Sequence, residues 1–302
     1  MKTKEYLNID ELIKVIKDKG IIINNEEYVR SILKQNNYYV IMGYKNLFTQ
    51  NGKYKKEVSF ENIYNLYCFD RKLKLLLLNS LLDIENIIKT SITNRFCSIY
   101  GFKETDYLDK NNFNINHTYI DKTFNIFEKQ IAEKSNDNLA VAYYKKTYNF
   151  IPLWVISKVL SFGLLKEIYA IMKDEDKKAI NNEISNFDDM KIKSLFNSMQ
   201  LLVDYRNKTA HDEIVYNAKH RKIILSKLKE HKKFTLKNNE GLNDLLGVLI
   251  SIKNILPKDK FNIMINDMDK LIKQFIKDND ILKLEDLLKE MNLPSNYLDL
   301  KW

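Results

Sequence analysis

From position 59 to position 100 the apolar residues return every three or four places, and neither Gly nor Pro interrupts them. Ile63, Leu66, Tyr67, Leu73, Leu77, Leu81, Ile84, Ile87 and Ile88 fall on one stripe. That is the spacing of a helix face turned toward a core. Ser59 suits the N-cap of this run and Gly101 its stop. The pattern predicts one long helix, straight or kinked, or two nearly collinear ones, and the remaining elements must pack along that rod. The chain has only 7 Gly and 3 Pro in 302 residues. Sheets need many tight turns and turns use these residues, so the expected class is all-α, a multi-helix bundle.

The rest of the chain supports that reading. Leu12, Ile13 and Ile16 mark a short amphipathic helix ending at Gly20, and Asn24-Asn25-Glu26-Glu27 reads as a capping box opening a second. A tyrosine-rich block, residues 35–48, follows, then a polar stretch at 49–56 that reads as a loop. Residues 102–117 read as irregular, and helices are expected over 118–134, 139–148, from Pro152 through the apolar segment IPLWVISKVLSFGLLKEIY, from Asp174, and over 188–210. The tail from His220 reads as three or four amphipathic helices broken at Pro257 and Pro294. Three segments are expected: an N-terminal one at 1–58, a helical core at 59–225 and a C-terminal extension at 226–302.

Lys plus Arg number 49 against 40 Asp plus Glu, a net charge of +9. A surplus of this size favours a polyanionic partner. An A+T-rich coding sequence would explain abundant Lys, Asn and Ile, though not Lys alone exceeding the acids. Cys68 and Cys97 form no motif and sit in apolar helical stretches, which reads as buried free thiols and a reducing, cytoplasmic setting. The N-terminus has no apolar leader core, and the most apolar windows fall short of the ~20 residues that span a bilayer, so no membrane partner is expected.

The chemistry concentrates in DYRNKTAHDEIVYN, residues 204–217. Arg206, Asn207 and His211 suit RNA cleavage. RNA carries its own nucleophile in the 2′-OH. A histidine with a pKa near ~6.5 can take that proton or give one to the leaving 5′ oxygen, and an arginine fork can stabilise the phosphorane charge. No cofactor is needed, and no His/Cys/Asp spacing suggests a metal. An Arg followed four to six residues later by His is a weak signal by itself, because a basic helix end also satisfies the helix dipole. Asn207 and His211 share a face, whereas Arg206 is offset from His211 by about 140°. Either its side chain reaches round, or the helix loosens near Thr209. With one histidine per motif, acid and base in one step call either for two copies across a two-fold axis or for one histidine helped by water or by Arg-assisted protonation.

Four ordered blocks then carry a resemblance: QNNYYVIMGYKNLF; the long run with Tyr67, Asp70, Arg71, Ile84 and Glu85; the PLW…SFG segment; and Arg206, Asn207, His211 with the trailing Tyr216 and Asn217. Together they resemble the Abi-D/Abi-F abortive-infection proteins of bacteria, in the HEPN superfamily. The resemblance runs from about Gly20 to Leu225. It implies a HEPN-type bundle and a toxin-like defence ribonuclease that works without metal as a homodimer. Some relatives work with a small noncoding RNA that restrains the protein. It adds Glu85 to the catalytic set as the partner of Arg206, with a local pair to Lys89 as the alternative. Lys208, Lys219, Arg221, Lys222, Arg71, Tyr216 and Asn217 are the expected RNA contacts, with a solvated helix face as the alternative for the basic ones. Tyr38, Tyr39 and Tyr44 suit either core packing or stacking on unpaired bases. The competing function is a non-catalytic RNA-binding helical protein with a silent site.

Overall fold

The structure, a computed structural model, describes residues 5–302 except 223, 238 and 280. Among the described residues it is all-α, apart from one two-stranded hairpin. Helices α1 (Ile9–Asp18), α2 (Glu26–Gln35) and α3 (Tyr38–Ile41) come first. Asn8 caps α1 in a reciprocal box with Glu11. At α2, Asn25 alone accepts from the Tyr28 amide, so the expected box reduces to a single cap. The hairpin, β1 (Thr49–Gln50) and β2 (Lys53–Tyr54), lies in the stretch expected as loop. Asn51 and Gly52 both take positive φ there, the requirement of a tight two-residue hairpin turn.

Helix α4 (Phe60–Tyr100) is one unbroken helix of 41 residues, about 60 Å long at 1.5 Å per residue. Ser59 accepts from the Asn62 amide while the Asn62 side chain accepts from the Ser59 amide. Gly101 ends the helix at φ +102°, where a Cβ would run into the Asp106 carboxylate. Beyond it come α5 (Glu104–Tyr107), α6 (Ile120–Asp137), α7 (Leu139–Tyr148), α8 (Leu153–Ile156), α9 (Phe162–Ile171), α10 (Asp174–Ile184) and α11 (Ile192–Ala210). The last helices are α12 (Leu245–Ile255), α13 (Lys258–Lys277) and α14 (Leu284–Glu290). Helices α10, α11, α12 and α13 all pack against α4. Buried side chains from Ile13 to Leu300 form one cluster that crosses all three expected segments.

Three further expectations change. The PLW…SFG segment is two helices, not one: Ser161 caps α9 by accepting from the Leu164 amide. Gln130 of α6 fixes that break, accepting from the Ser161 amide and donating to its hydroxyl. A side chain that satisfies free backbone groups competes with continuing the helix. Residues 213–244 hold no α-helix among those described. Their apolar side chains Leu225, Leu228, Phe234 and Leu242 are buried one at a time, while the chain is tied down by backbone bonds to Leu242 and Asn243. Helix α12 is not amphipathic: every residue in it is buried, Lys253 included, which pairs with Glu230 at 2.8 Å and stands over the Trp302 ring. No helix among the described residues is long and apolar enough to cross a membrane.

His231 shows how tightly the region 213–244 is fastened. It is 3% exposed, its Nδ1 accepts from the Leu228 amide at 3.0 Å, and its Nε2 stands 2.9 Å from the Gly241 carbonyl oxygen. This geometry fits a neutral ring with the proton on Nε2. Burial pushes its pKa below the ordinary histidine range, against the pull of its bonds to Gly241 and Leu228. The unfolded chain therefore takes up this proton first as pH falls. The stabilising effect is complete above about pH 6.5 and is lost below it, by at most ~1.4 kcal/mol per pH unit. Urea unfolding should show a lower midpoint at pH 5.5 than at pH 7.5, and His231→Gln, less stable at pH 7.5, should lose less on acidification.

Candidate functional site

Helix α11 is built to end in the open. Leu195, Met199, Leu202 and Tyr205 are buried, while Asn207, Ala210 and His211 are exposed. The helix stays regular to its last turn, because the His211 amide still donates to the Asn207 carbonyl at 2.9 Å. Of the two geometries open in the sequence, it is the one without loosening at Thr209. Thr209 instead is buried and donates its hydroxyl to the Arg206 carbonyl. His211 is the C-cap, Asp212 follows with φ +56°, and the Glu213 amide donates back to the Lys208 carbonyl. This is a Schellman-type ending with aspartate in the place glycine usually fills. The left-handed conformation costs a non-glycine residue ~1–2 kcal/mol, so something must hold Asp212 there.

Lys74 does so. This buried lysine on α4 meets the Asp212 carboxylate at 2.7 Å. One turn earlier Asp70, fully buried, accepts from the Tyr216 amide at 2.7 Å, the Val215 amide at 3.2 Å and the Tyr44 hydroxyl at 2.7 Å. Lys74 and Asp70 are themselves 3.4 Å apart. Burial pushes the Asp70 carboxyl above its ordinary range, while Lys74, Tyr44 and the two amides pull it back. The turn leaving the motif helix is thus stapled to α4. Two further bonds complete the fastening: buried Tyr205 donates to the Ala218 carbonyl, and Asn217 donates to Glu290 on α14 at 2.9 Å.

On the other side of the motif, Glu85 of α4 is 5% exposed and stands between two cations. Arg206 donates from Nε to Oε2 at 3.3 Å, and Lys89 meets Oε1 at 2.8 Å. Both partners that the sequence offered are present at once. The pairing fixes Arg206 through Nε, and its two Nη groups carry no hydrogen bond to the described residues. The His211 imidazole is likewise exposed and unpartnered among them. The helix end therefore presents a fixed guanidinium fork, an amide at Asn207 and a solvent-facing imidazole, a set suited to binding and cleaving a phosphodiester.

The expected RNA contacts divide. Lys219, Arg221 and Lys222 are exposed in the segment after the stapled turn. Arg71 is exposed, bonded to the Tyr67 hydroxyl at 2.9 Å. Lys208 is engaged with Asp204 at 2.7 Å. Asn217 is half-buried on Glu290. Tyr216 must be withdrawn: it is fully buried and stacked on Tyr44, so neither ring offers a face to a ligand. Tyr44 likewise belongs to the core, while Tyr39 is 77% exposed. Among the described residues no group of three or more His, Cys, Asp or Glu side chains is placed to hold a metal ion. The Asp70–Lys74 staple was not assigned from sequence. Its signal was there: Asp70 falls in phase with Leu66, Leu77 and Ile84 on the apolar stripe, where a charge needs a buried partner.

A family model described as Abi-like protein matches residues 31–217, more than half of the chain, a span that holds Asp70, Lys74, Glu85, Arg206, Asn207, His211 and Asp212. No curated protein and no solved structure matches.

The staple predicts a stability effect with a clear readout. Asp70→Ala leaves Lys74 facing Asp212 alone and two amides without an acceptor. Removing one partner of a buried pair costs about 3–5 kcal/mol. Urea unfolding should show a loss of that order, and hydrogen exchange should show the Val215 and Tyr216 amides losing their protection.

Proposed function

The chain belongs to the Abi-like protein family, and on that premise we propose that it is a HEPN-type endoribonuclease acting in abortive infection, cleaving RNA without a metal. The observation that carries this reading is the held guanidinium: Glu85 takes Arg206 Nε, which leaves both Nη groups for a phosphate at the same helix end that exposes His211. In the proposed reaction His211 removes the proton of the 2′-OH. The 2′ oxygen forms a bond to phosphorus, the P–O5′ bond breaks, and the 5′ oxygen leaves with a proton from a second copy of His211. Arg206 stabilises the charge on the non-bridging oxygens, Asn207 offers an amide beside the same phosphate, and Glu85 is a positioning residue. The products are a 2′,3′-cyclic phosphate and a 5′-OH. Lys219, Arg221, Lys222 and Arg71 supply exposed positive charge along the strand, in keeping with the net charge of +9.

A second copy is part of the proposal, and α4 offers a surface for it. Leu75 is 68% exposed and Leu82 43%, with Leu78 half-buried between them. On an ideal helix these three lie about 20–80° round from Glu85. The uncovered leucine stripe therefore borders the motif, where a two-fold partner would bring two His211 side chains toward one cleft. A restraining noncoding RNA is part of the same reading, and sequencing the RNA that copurifies with the protein would identify it.

Purified protein should cut single-stranded RNA in the presence of a chelator and leave 2′,3′-cyclic phosphate ends. His211→Ala and Arg206→Ala should each lower the rate by at least ~100-fold and relieve growth inhibition. Cleavage that depends on added divalent metal, or toxicity that persists in either variant, would overturn the proposal. Tight, salt-sensitive RNA binding without turnover would instead identify a silent site. Leu75→Glu combined with Leu82→Glu should give a folded monomer by light scattering and reduce cleavage to the level of His211→Ala.

A further inference from the structure

Beside the stapled turn lies a groove of about 750 Å³ that the reaction above does not use. One wall is the tyrosine-rich block, with Tyr38, Tyr39 and Lys45. Tyr54 of the hairpin and Lys19 beyond α1 also line it, and Asp212 forms part of the opposite wall. Its volume lies in the range of pockets that hold small ligands (~300–1,000 Å³). The groove starts one residue after His211.

Its chemistry is specific. Tyr39 is 77% exposed, an unusual placement for so large an aromatic face. Helix α3, which carries it, is fixed by Asn37 accepting the Tyr39 amide at 2.8 Å and by packing on α4. Lys19 donates to the Tyr38 hydroxyl at 2.7 Å and stands 5.4 Å from that ring's centre. Lys45 adds a second cation. Of the two acids on the opposite wall, Asp212 is paired with Lys74 at 2.7 Å, and Glu213 is exposed to solvent. Flat aromatic faces with ammonium groups beside them are what single-stranded nucleic acid binds: bases stack on the rings and phosphates meet the cations. A base locked in a duplex has no free face to offer.

The geometry points to a nucleotide-binding groove in which an unpaired base stacks on Tyr39 while the adjoining phosphate meets Lys45 and Lys19. The groove takes the unpaired nucleotide next to the one whose phosphate lies at His211 and Arg206. It would select single-stranded RNA and set its register at the cleavage site. This inference rests on the ribonuclease reading for its orientation, but its test measures binding alone.

In full-length His211→Ala protein, fluorescence anisotropy would follow a labelled oligouridine and the same strand annealed to oligoadenosine. Tyr39→Ala should weaken single-strand binding about five- to a hundred-fold and leave duplex binding unchanged, with the far-ultraviolet circular dichroism unaltered. Tyr39→Phe, which keeps the ring, should bind like the parent. Lys45→Ala should reduce the salt slope by about 0.7. Oligoribonucleotides carrying 4-thiouridine should crosslink to the peptide bearing Tyr38 and Tyr39. Equal single-strand affinity in Tyr39→Ala, equal losses in the Phe and Ala variants, or no binding by the parent would each overturn the inference. If the wild-type protein proves unable to cleave while Tyr39→Ala still loses single-strand binding, the ribonuclease reading falls and the groove stands.

Discussion

A buried carboxylate on the longest helix holds the site in place. Asp70 accepts two backbone amides from the turn after α11 and a hydroxyl from Tyr44, with Lys74 beside it. Such a group is costly to bury and is tolerated only when its lone pairs are filled. Once they are filled, the arrangement has little freedom. A shift of the turn by one residue would leave two amides without an acceptor in the core and strip Asp70 of two of its donors. Lys74 extends the constraint to Asp212, whose left-handed backbone ends α11 directly after His211. The position of the imidazole thus follows from an ion pair on another helix.

The same long helix fixes the other half of the motif. Glu85 lies about four turns beyond Asp70 along α4, at 3.6 residues per turn. It engages the Arg206 guanidinium from one edge and Lys89 from the other. Two contacts to one rigid rod, one on each side of the motif, make α4 and the end of α11 a single unit. The core and the candidate site therefore share α4: its apolar stripe builds the core, its two buried acids hold the end of α11, and its exposed leucines border it. The groove lined by Tyr38, Tyr39 and Tyr54 abuts the same turn, so a strand bound there would lie against the fastened elements and not against a free loop.

Much of the helical layout was legible because it depends on local patterns. The stripe from Ile63 to Ile88, the Ser59 cap and the Gly101 stop mark α4 to within a residue. The acidic start at Asp174 marks α10. The misreadings share a cause. At Ser161 a side chain from α6 decides that the helix breaks. Over 213–244 the apolar residues are buried one by one by partners distant in sequence, and a periodic reading cannot distinguish this from helix. In the tyrosine-rich block, Tyr44 and Tyr39 are five residues apart with identical side chains, yet one is buried and the other is 77% exposed. Only their neighbours separate them.

The sequence by itself determined the helical class, the rod along which the chain packs and the basic charge, and it singled out Arg206, Asn207 and His211 as candidates whose chemistry suits a phosphodiester. These follow from side-chain chemistry and from spacing along one chain, which short-range geometry dictates. The tertiary structure decided that Glu85 holds both Arg206 and Lys89, that Asp70 and Lys74 fasten the turn beyond His211, that Tyr216 lies inside, and that Tyr39 faces a groove. Each of these depends on which group arrives from a remote segment to fill a buried hydrogen-bonding site or cover an apolar surface, and the folded core sets that pairing.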